Sequence, residues 1–316
     1  MRSLSADILQ ARARFLQSVR SFFQERDVLE IETPLLHETG TPEPFIENLL
    51  VHDPAGGPQC YLITSPEFHL KQVLVEVQRP IFQIAHVFRG GDGGSRSPVH
   101  TREFLMLEWY LPHEDEYALM QQIVDLLRYL HLQFPDCDPF TDIPVLSLKE
   151  LLLEHAQCSM DRSSLEERAI ALGLASADII REDRYDELFF RVFLHTVEPA
   201  LALHPHPLFV HGYPAELAAY SVIEGNTGRR FELYWKGVEL ANGYFEVTDP
   251  DEQIRRFEAD NALRRSIGKA ERKLDQDFLA ALRRGMPASS GVALGLDRLF
   301  MLFTGARRIE EVSPFD

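Results

Sequence analysis

Two groups of side chains in this sequence are of types that do chemistry. The first flanks a glycine-rich run: Arg89 ends one apolar segment, and His100, Arg102, Glu103 and Phe104 open the next. An arginine and a histidine can hold phosphate oxygens, and an aromatic ring can take the face of a purine. Ordinary charges on a hairpin would look the same. The second group is "ELYWKGVELANGYFEV", where Glu232, Glu239 and Glu246 are spaced by seven, with Asn242 between the last two. A strand of period two would put residues seven apart on opposite faces. A turn at Lys236-Gly237 and a kink near Asn242-Gly243 can bring them together. Converging carboxylates suit a divalent metal or the ammonium groups of a substrate, and solvated strand carboxylates are the plain alternative. A further arginine, Arg298, falls in the first turn of a helix after "GVALG", where a lone arginine is usually solvated or paired.

The glycines themselves, "GGDGGS" at 90–95, match no phosphate loop. No Gly-Lys-Ser/Thr tripeptide follows, and counting GxGxxG from Gly91 puts Arg96 where the third glycine belongs. The run leads into a strand and reads as the loop of a hairpin. The three histidines of "HPHPLFVHGY" (His204, His206, His211) lack the partners of a metal site and read as turn and strand residues.

Periodicity supplies the elements that must position these groups. Ile8, Leu9, Phe15, Leu16, Val19, Phe22 and Phe23 recur at helical spacing, which predicts an amphipathic helix over 6–27. "VLEIETPLL" and "CYLITS" read as strands, and Pro66 suits the first turn of the helix "PEFHLKQVLVEV". Strands "PIFQIAHVFRG" and "REFLMLEWYLP" flank the glycine loop, and a helix covers 114–134. Short helices fill roughly 147–198. Strands return at "PLFVHGYP", "RRFELYWKGVEL" and "NGYFEVTD", followed by helices at 250–267 and 275–284, the strand "SSGVALG" and a helix at 296–304. Hairpin-joined strands with helices outside predict an α+β fold around an antiparallel sheet.

The formal charge of −17, from 32 Lys+Arg against 49 Asp+Glu, opposes broad binding to a phosphate backbone. Three scattered cysteines suit reduced thiols. Neither a signal peptide nor a membrane span is visible, so a cytoplasmic protein with no membrane partner is expected.

Taken together, "FFQERDVLEIETPLL", "FRGGDGGSRSPVHTREFLMLEWY" and "GVALGLDRLFML" resemble motifs 1, 2 and 3 of the class II aminoacyl-tRNA synthetases, in that order. "TSPEFHLKQVL", "LEWY" and "GVELANGYFE" are similar to the amino-acid pocket segments of the lysine-type subgroup. Lysyl-tRNA synthetases carry a β-barrel anticodon-binding domain before motif 1, and here the chain starts almost at the motif 1 helix. The resemblance therefore narrows to truncated paralogues that modify translation elongation factor P with (R)-β-lysine. Trp109 in "LEWY" and Ala293 in "GVALG" point the same way. The resemblance implies one catalytic domain over 1–316, with a helical insertion at about 147–198 and no anticodon-binding domain.

It also implies residue roles. Arg89 and Arg298 would be catalytic: Arg89 would meet the α-phosphate, Arg298 would sandwich adenine with Phe104 and also reach phosphate, and His100 would meet the outer phosphates. Gly91, Asp92, Thr101, Glu239, Leu240 and Gly295 would complete the ATP site, and Glu232 and Glu239 would hold magnesium. Ser65, Pro66 and Glu67 would receive the substrate amino group. Glu108, Tyr110, Asn242, Glu246 and Ala293 would complete the pocket. ATP and magnesium are the implied cofactors, lysine or (R)-β-lysine the substrate, elongation factor P the acceptor and a homodimer the assembly. Stable tRNA binding is not expected. The sequence departs from the family after Arg89, where Gly90-Gly91-Asp92 replaces Asn-Glu, and at "HTREF", where Thr101 and Arg102 replace Asn-Pro. Three rivals remain open on the residues: tRNA charging, an ammonia-dependent asparagine synthetase, and an inactive amino-acid-binding regulator.

Overall fold

The N-terminal periodicity becomes helix Ala6–Gln24, begun by Ser5, whose hydroxyl accepts from the Ile8 amide at 3.3 Å. This computed structural model describes residues 5–91, 97–137 and 142–313. Within it the chain forms two compact units, Met1–Pro139 with Glu246–Asp316, and Phe140–Phe245.

In the first unit the strands lie in the order Leu29–Glu30, Ile81–Phe88, Glu103–Pro112, Ser289–Gly295. Of the last three, the central strand Glu103–Pro112 is antiparallel to both its neighbours, while the two-residue edge strand Leu29–Glu30 runs parallel to Ile81–Phe88. That edge strand is reached by a long crossover, the connection a parallel pair needs. The sheet is therefore mixed, with the expected antiparallel core. A smaller sheet, ordered Leu36–His37, Cys60–Leu62, Leu50–Val51, stands apart from it. Two of these strands are only two residues long, too short for periodicity to reveal.

Alternation gives strand Glu103–Pro112 two different faces. Leu105, Leu107 and Trp109 lie on the face that meets the helices. Phe23 stacks on Phe82 at 4.5 Å and meets Trp109 edge-on at 5.3 Å, and the Trp109 indole N–H donates to Gln122 at 2.7 Å. All three rings are fully buried, each stabilising the fold by roughly 3 kcal/mol. Trp109 thus belongs to the packed side. Phe104, Met106, Glu108 and Tyr110 lie on the other face. Asp297, in the first turn of helix Leu296–Phe303, accepts from the Leu105 amide at 2.7 Å and pairs with Arg12 at 2.5 Å. One carboxylate so ties the last helix to the central strand and to the first helix.

In the second unit, helices Arg162–Ala171, Ala177–Glu182 and Tyr185–Leu203 follow strand Val145–Ser147 and a short helical segment over 148–156. They close on a core including Leu152, Leu165, Phe189, Val192 and Phe193. Strands Leu208–Pro214, Thr227–Trp235 and Val238–Phe245 are antiparallel, and Val145–Ser147 adds a parallel edge. The hairpin turns at Lys236 and Gly237, with φ of 51° and 74°. Both are left-handed, and a Cβ at Gly237 would also strike Ala202, so glycine fits there. Among the described residues no helix is long and apolar enough to cross a membrane.

Candidate active site

A buried carboxylate pocket occupies the first unit. Helix Glu67–Val77 starts after Ser65-Pro66. The Ser65 hydroxyl accepts from the Glu67 amide at 3.0 Å and donates to Glu108 at 2.6 Å. One hydroxyl thereby satisfies a helix N-terminus and a buried carboxyl at once. The Tyr110 hydroxyl donates to the other Glu108 oxygen at 2.7 Å. Strand register sets the floor: Glu108 lies opposite Gln83 and Ala293, and Tyr110 opposite Ile81 and Gly291. A Cβ on Gly291 would collide with the Tyr110 ring and the Glu246 carboxylate, so this glycine keeps the floor open.

Lys71 stands at the centre of this pocket, although the sequence reading passed over it. Its ammonium reaches Glu67 at 2.5 Å and Glu246 at 2.7 Å, and its side chain is 1% exposed. Burial pulls its pKa down, but the charges of Glu246 and Glu67 outweigh that, and Lys71 lies above the usual lysine value. Burial, reinforced by the charge of Glu67, pushes Glu108 up to about 8 despite the Ser65 and Tyr110 hydrogen bonds. Burial also raises Glu246, to about 7, against the pull of Lys71. Three carboxylates thus share one internal cation, and burial favours a proton on Glu108, and in part on Glu246, near neutrality. A signal for Lys71 was present: it lies four residues after Glu67 on a helix, beside buried Leu70, Leu74 and Val75.

The same unit carries the arginine group. Arg89 follows strand Ile81–Phe88, where its amide bonds the Arg102 carbonyl at 2.9 Å. Its guanidinium lies 5.3 Å from the centroid of the half-buried Phe104 ring, and its Nε is buried without a hydrogen-bond partner. Arg298 donates from Nε to the Val99 carbonyl at 3.0 Å, and Gly295 precedes its helix. His100 is hydrogen-bonded to Ser97 at 2.6 Å. Burial first, then the charges of Arg298 and Arg89, lower its pKa, so the ring is neutral at neutral pH. Two guanidinium groups beside a neutral imidazole, one with an unpartnered buried N–H, match the needs of a polyanionic ligand. Phe104 and Glu108 share a strand face four residues apart, about 14 Å along the strand. Thr101 bonds the Glu103 carbonyl at 2.8 Å, and exposed Gly91 ends the described part of the loop. Asp92 lies outside the described residues.

Glu232, Glu239, Leu240 and Asn242 all fall in the second unit. Glu232 lies opposite Asn242, and an irregularity after Leu233 puts Tyr234 opposite Glu239. Glu232 is saturated by protein donors. Arg230 pairs with one oxygen, and the Tyr213 and Tyr234 hydroxyls donate to the other at 2.5 and 2.6 Å. Arg230 also bonds Asn242 at 3.2 Å and the Leu217 carbonyl at 2.7 Å. The alternation of Arg230, Glu232 and Tyr234 along one strand face made this cluster readable, yet the sequence reading took only the carboxylate. As arranged, Glu232 does not fit a magnesium ligand, because each oxygen already has a donor. Glu239 is exposed and Leu240 buried. Among the described residues no group of three or more His, Cys, Asp or Glu is placed to hold a metal ion.

A carboxylate pocket and an arginine–aromatic group thus share one mixed sheet, the first suited to ammonium groups and the second to a polyanion with an aromatic ring. Residues 1–316 match the family described as tRNA synthetases class II (D, K and N), and the chain belongs to that family. Within it, the chain is similar to proteins named elongation factor P–(R)-β-lysine ligase. That of Pectobacterium atrosepticum is 40% identical over 99% of this chain and 96% of the relative. The Sodalis glossinidius protein is 40% identical over 97% and 94%, and the Pasteurella multocida protein 39% identical over 99% and 96%.

Proposed function

We propose that the chain activates (R)-β-lysine or lysine with ATP and transfers it to a lysine ε-amino group of translation elongation factor P. The observation that carries this reading is the pocket of Glu67, Glu108 and Glu246, whose acids outnumber their one cation and so favour ammonium groups. An aspartate-type substrate would want the opposite charge there. The names of the similar ligases support the acceptor.

In this reading a substrate carboxylate oxygen attacks the α-phosphorus of ATP and pyrophosphate leaves. The acceptor amine nitrogen then attacks the acyl carbon, the bond to AMP breaks, and the amine proton passes to solvent. No side-chain nucleophile takes part. Arg89 and Arg298 neutralise phosphate charge, Arg298 and Phe104 clamp adenine, and neutral His100 hydrogen-bonds the outer phosphates. Thr101, Gly91, Asp92, Leu240 and Gly295 line the nucleotide. Ser65, Pro66 and Glu67 receive the near amino group, and Glu108, Tyr110, Asn242 and Glu246 the rest of the substrate, beside Ala293. Magnesium accompanies ATP as its counter-ion, with exposed Glu239 as the carboxylate that solvent reaches. The chain works as one catalytic domain with a helical insertion, as a cytoplasmic homodimer that does not hold tRNA.

The test is ATP–pyrophosphate exchange across lysine, both β-lysines and aspartate, then transfer to purified elongation factor P or bulk tRNA. Exchange with lysine-type substrates and labelling of the factor are expected, and Arg298→Ala should abolish exchange while the protein stays folded. Strong tRNA charging, or no exchange with any amino acid, would overturn the reading.

A further inference from the structure

Lys71 has no part in the activation chemistry, yet it is fully enclosed in the pocket, held between two carboxylates assigned to the substrate. A buried lysine joined to Glu67 and Glu246 at 2.5 and 2.7 Å is too costly a feature to be incidental. We infer that Lys71 is a built-in counter-ion that sets how many ammonium groups the pocket admits. Glu67, Glu108 and Glu246 supply three negative charges when ionised, and Lys71 cancels one. The remainder matches two ammonium groups, those of a diamino acid. The inference rests on the reading that this pocket binds the amino acid, and it deepens that reading by naming what counts the charges.

Among the described residues, titratable groups from several elements face Lys71. Glu67 lies on its own helix, Glu246 on the segment entering helix Pro250–Ser266, and Glu108 and Tyr110 on the central strand, with the Tyr110 ring centroid 5.9 Å from the ammonium. Strand Ser289–Gly295 brings no titratable side chain. Asp275, at the start of helix Gln276–Gly285, is turned to His37 at 3.4 Å. Before substrate arrives, protons stand in for the missing ammonium groups, since burial holds Glu108 at about 8 and Glu246 at about 7. Substrate entry ionises these carboxyls and releases their protons.

The sign follows. The empty pocket is protonated and the occupied pocket ionised, so the KM for lysine falls as pH rises through about 7 to 8 and then levels. Removing the internal cation makes the carboxyls harder to ionise. Lys71→Met should therefore move the midpoint of that profile upward by about one pH unit or more, a tenfold change in proton activity. Lys71→Arg should keep the wild-type midpoint, whatever its absolute rate. A Met variant whose KM is raised by one factor at every pH, with its midpoint unmoved, would reduce Lys71 to a structural prop.

If the Met variant melts before assay, the wild type decides. Calorimetric titration of lysine near pH 7 in two buffers of different ionisation heat counts the protons released. A clear fraction of a proton per lysine supports the inference, and none overturns it. Wild-type protein without lysine- or β-lysine-dependent exchange would sink the functional reading itself. Lysine-dependent exchange with an unmoved midpoint sinks only the role of Lys71.

Discussion

The molecule holds two buried glutamate clusters built from the same side-chain chemistry and opposite in balance. Around Lys71, three carboxylates share one cation, and hydroxyls of Ser65 and Tyr110 soften what burial makes costly. Around Glu232, one carboxylate is met by Arg230 and two tyrosine hydroxyls. The first cluster is short of positive charge and the second is complete. A buried carboxylate therefore says little about role until its donors are counted. Unmet acid marks a place for a ligand, and fully met acid marks a brace.

Substitutions can break or sharpen that contrast. The largest effect is expected from Glu246→Gln, which removes one of the two carboxylates paired with Lys71 and, on the proposed function, a charge that the substrate meets. Losing a buried charge partner costs about 3 kcal/mol, so the KM for lysine in pyrophosphate exchange should rise on the order of a hundredfold. Glu232→Gln comes next, and its loss should be read chiefly in urea unfolding, at roughly 2 kcal/mol, because buried Arg230 loses the carboxylate that it is paired with. If that variant instead keeps its stability and loses ATP affinity in a magnesium-dependent way, the brace is a metal site and the contrast dissolves. The smallest effect should come from Tyr234→Phe, which deletes one of two hydroxyls on the same Glu232 oxygen, at about 1 kcal/mol in the same unfolding assay. A loss as large as that of Glu232→Gln would show that the two tyrosines act as one unit.

Most elements could be read from periodicity, because long apolar stripes announce themselves. The helix expected over 6–27 is Ala6–Gln24, and the strand "SSGVALG" is Ser289–Gly295. The turn at Lys236-Gly237 was readable from its residues. What stayed hidden depended on tertiary neighbours. The two-residue strands Leu36–His37 and Leu50–Val51 exist only because Cys60–Leu62 lies between them. Spacing by seven flagged Glu232 and Glu246 alike, yet only their surroundings tell them apart: Lys71 beside one, Arg230 and two tyrosines around the other. Lys71 was passed over because a lysine on an amphipathic helix is ordinarily taken for a solvated one. Trp109, noted as a peculiarity of the pocket segment, points to the helices, as its place between Glu108 and Tyr110 on an alternating strand requires.

That alternation has a consequence for how the protein can change. Along Leu105–Tyr110, neighbouring positions answer to different surroundings: Leu105, Leu107 and Trp109 pack toward the helices, whereas Glu108 and Tyr110 line the carboxylate pocket. A saturation scan of this ribbon should draw a sawtooth, with loss of abundance and loss of turnover trading places at every step. Selection on specificity then has a narrow keyboard here, with every second key wired to the frame instead.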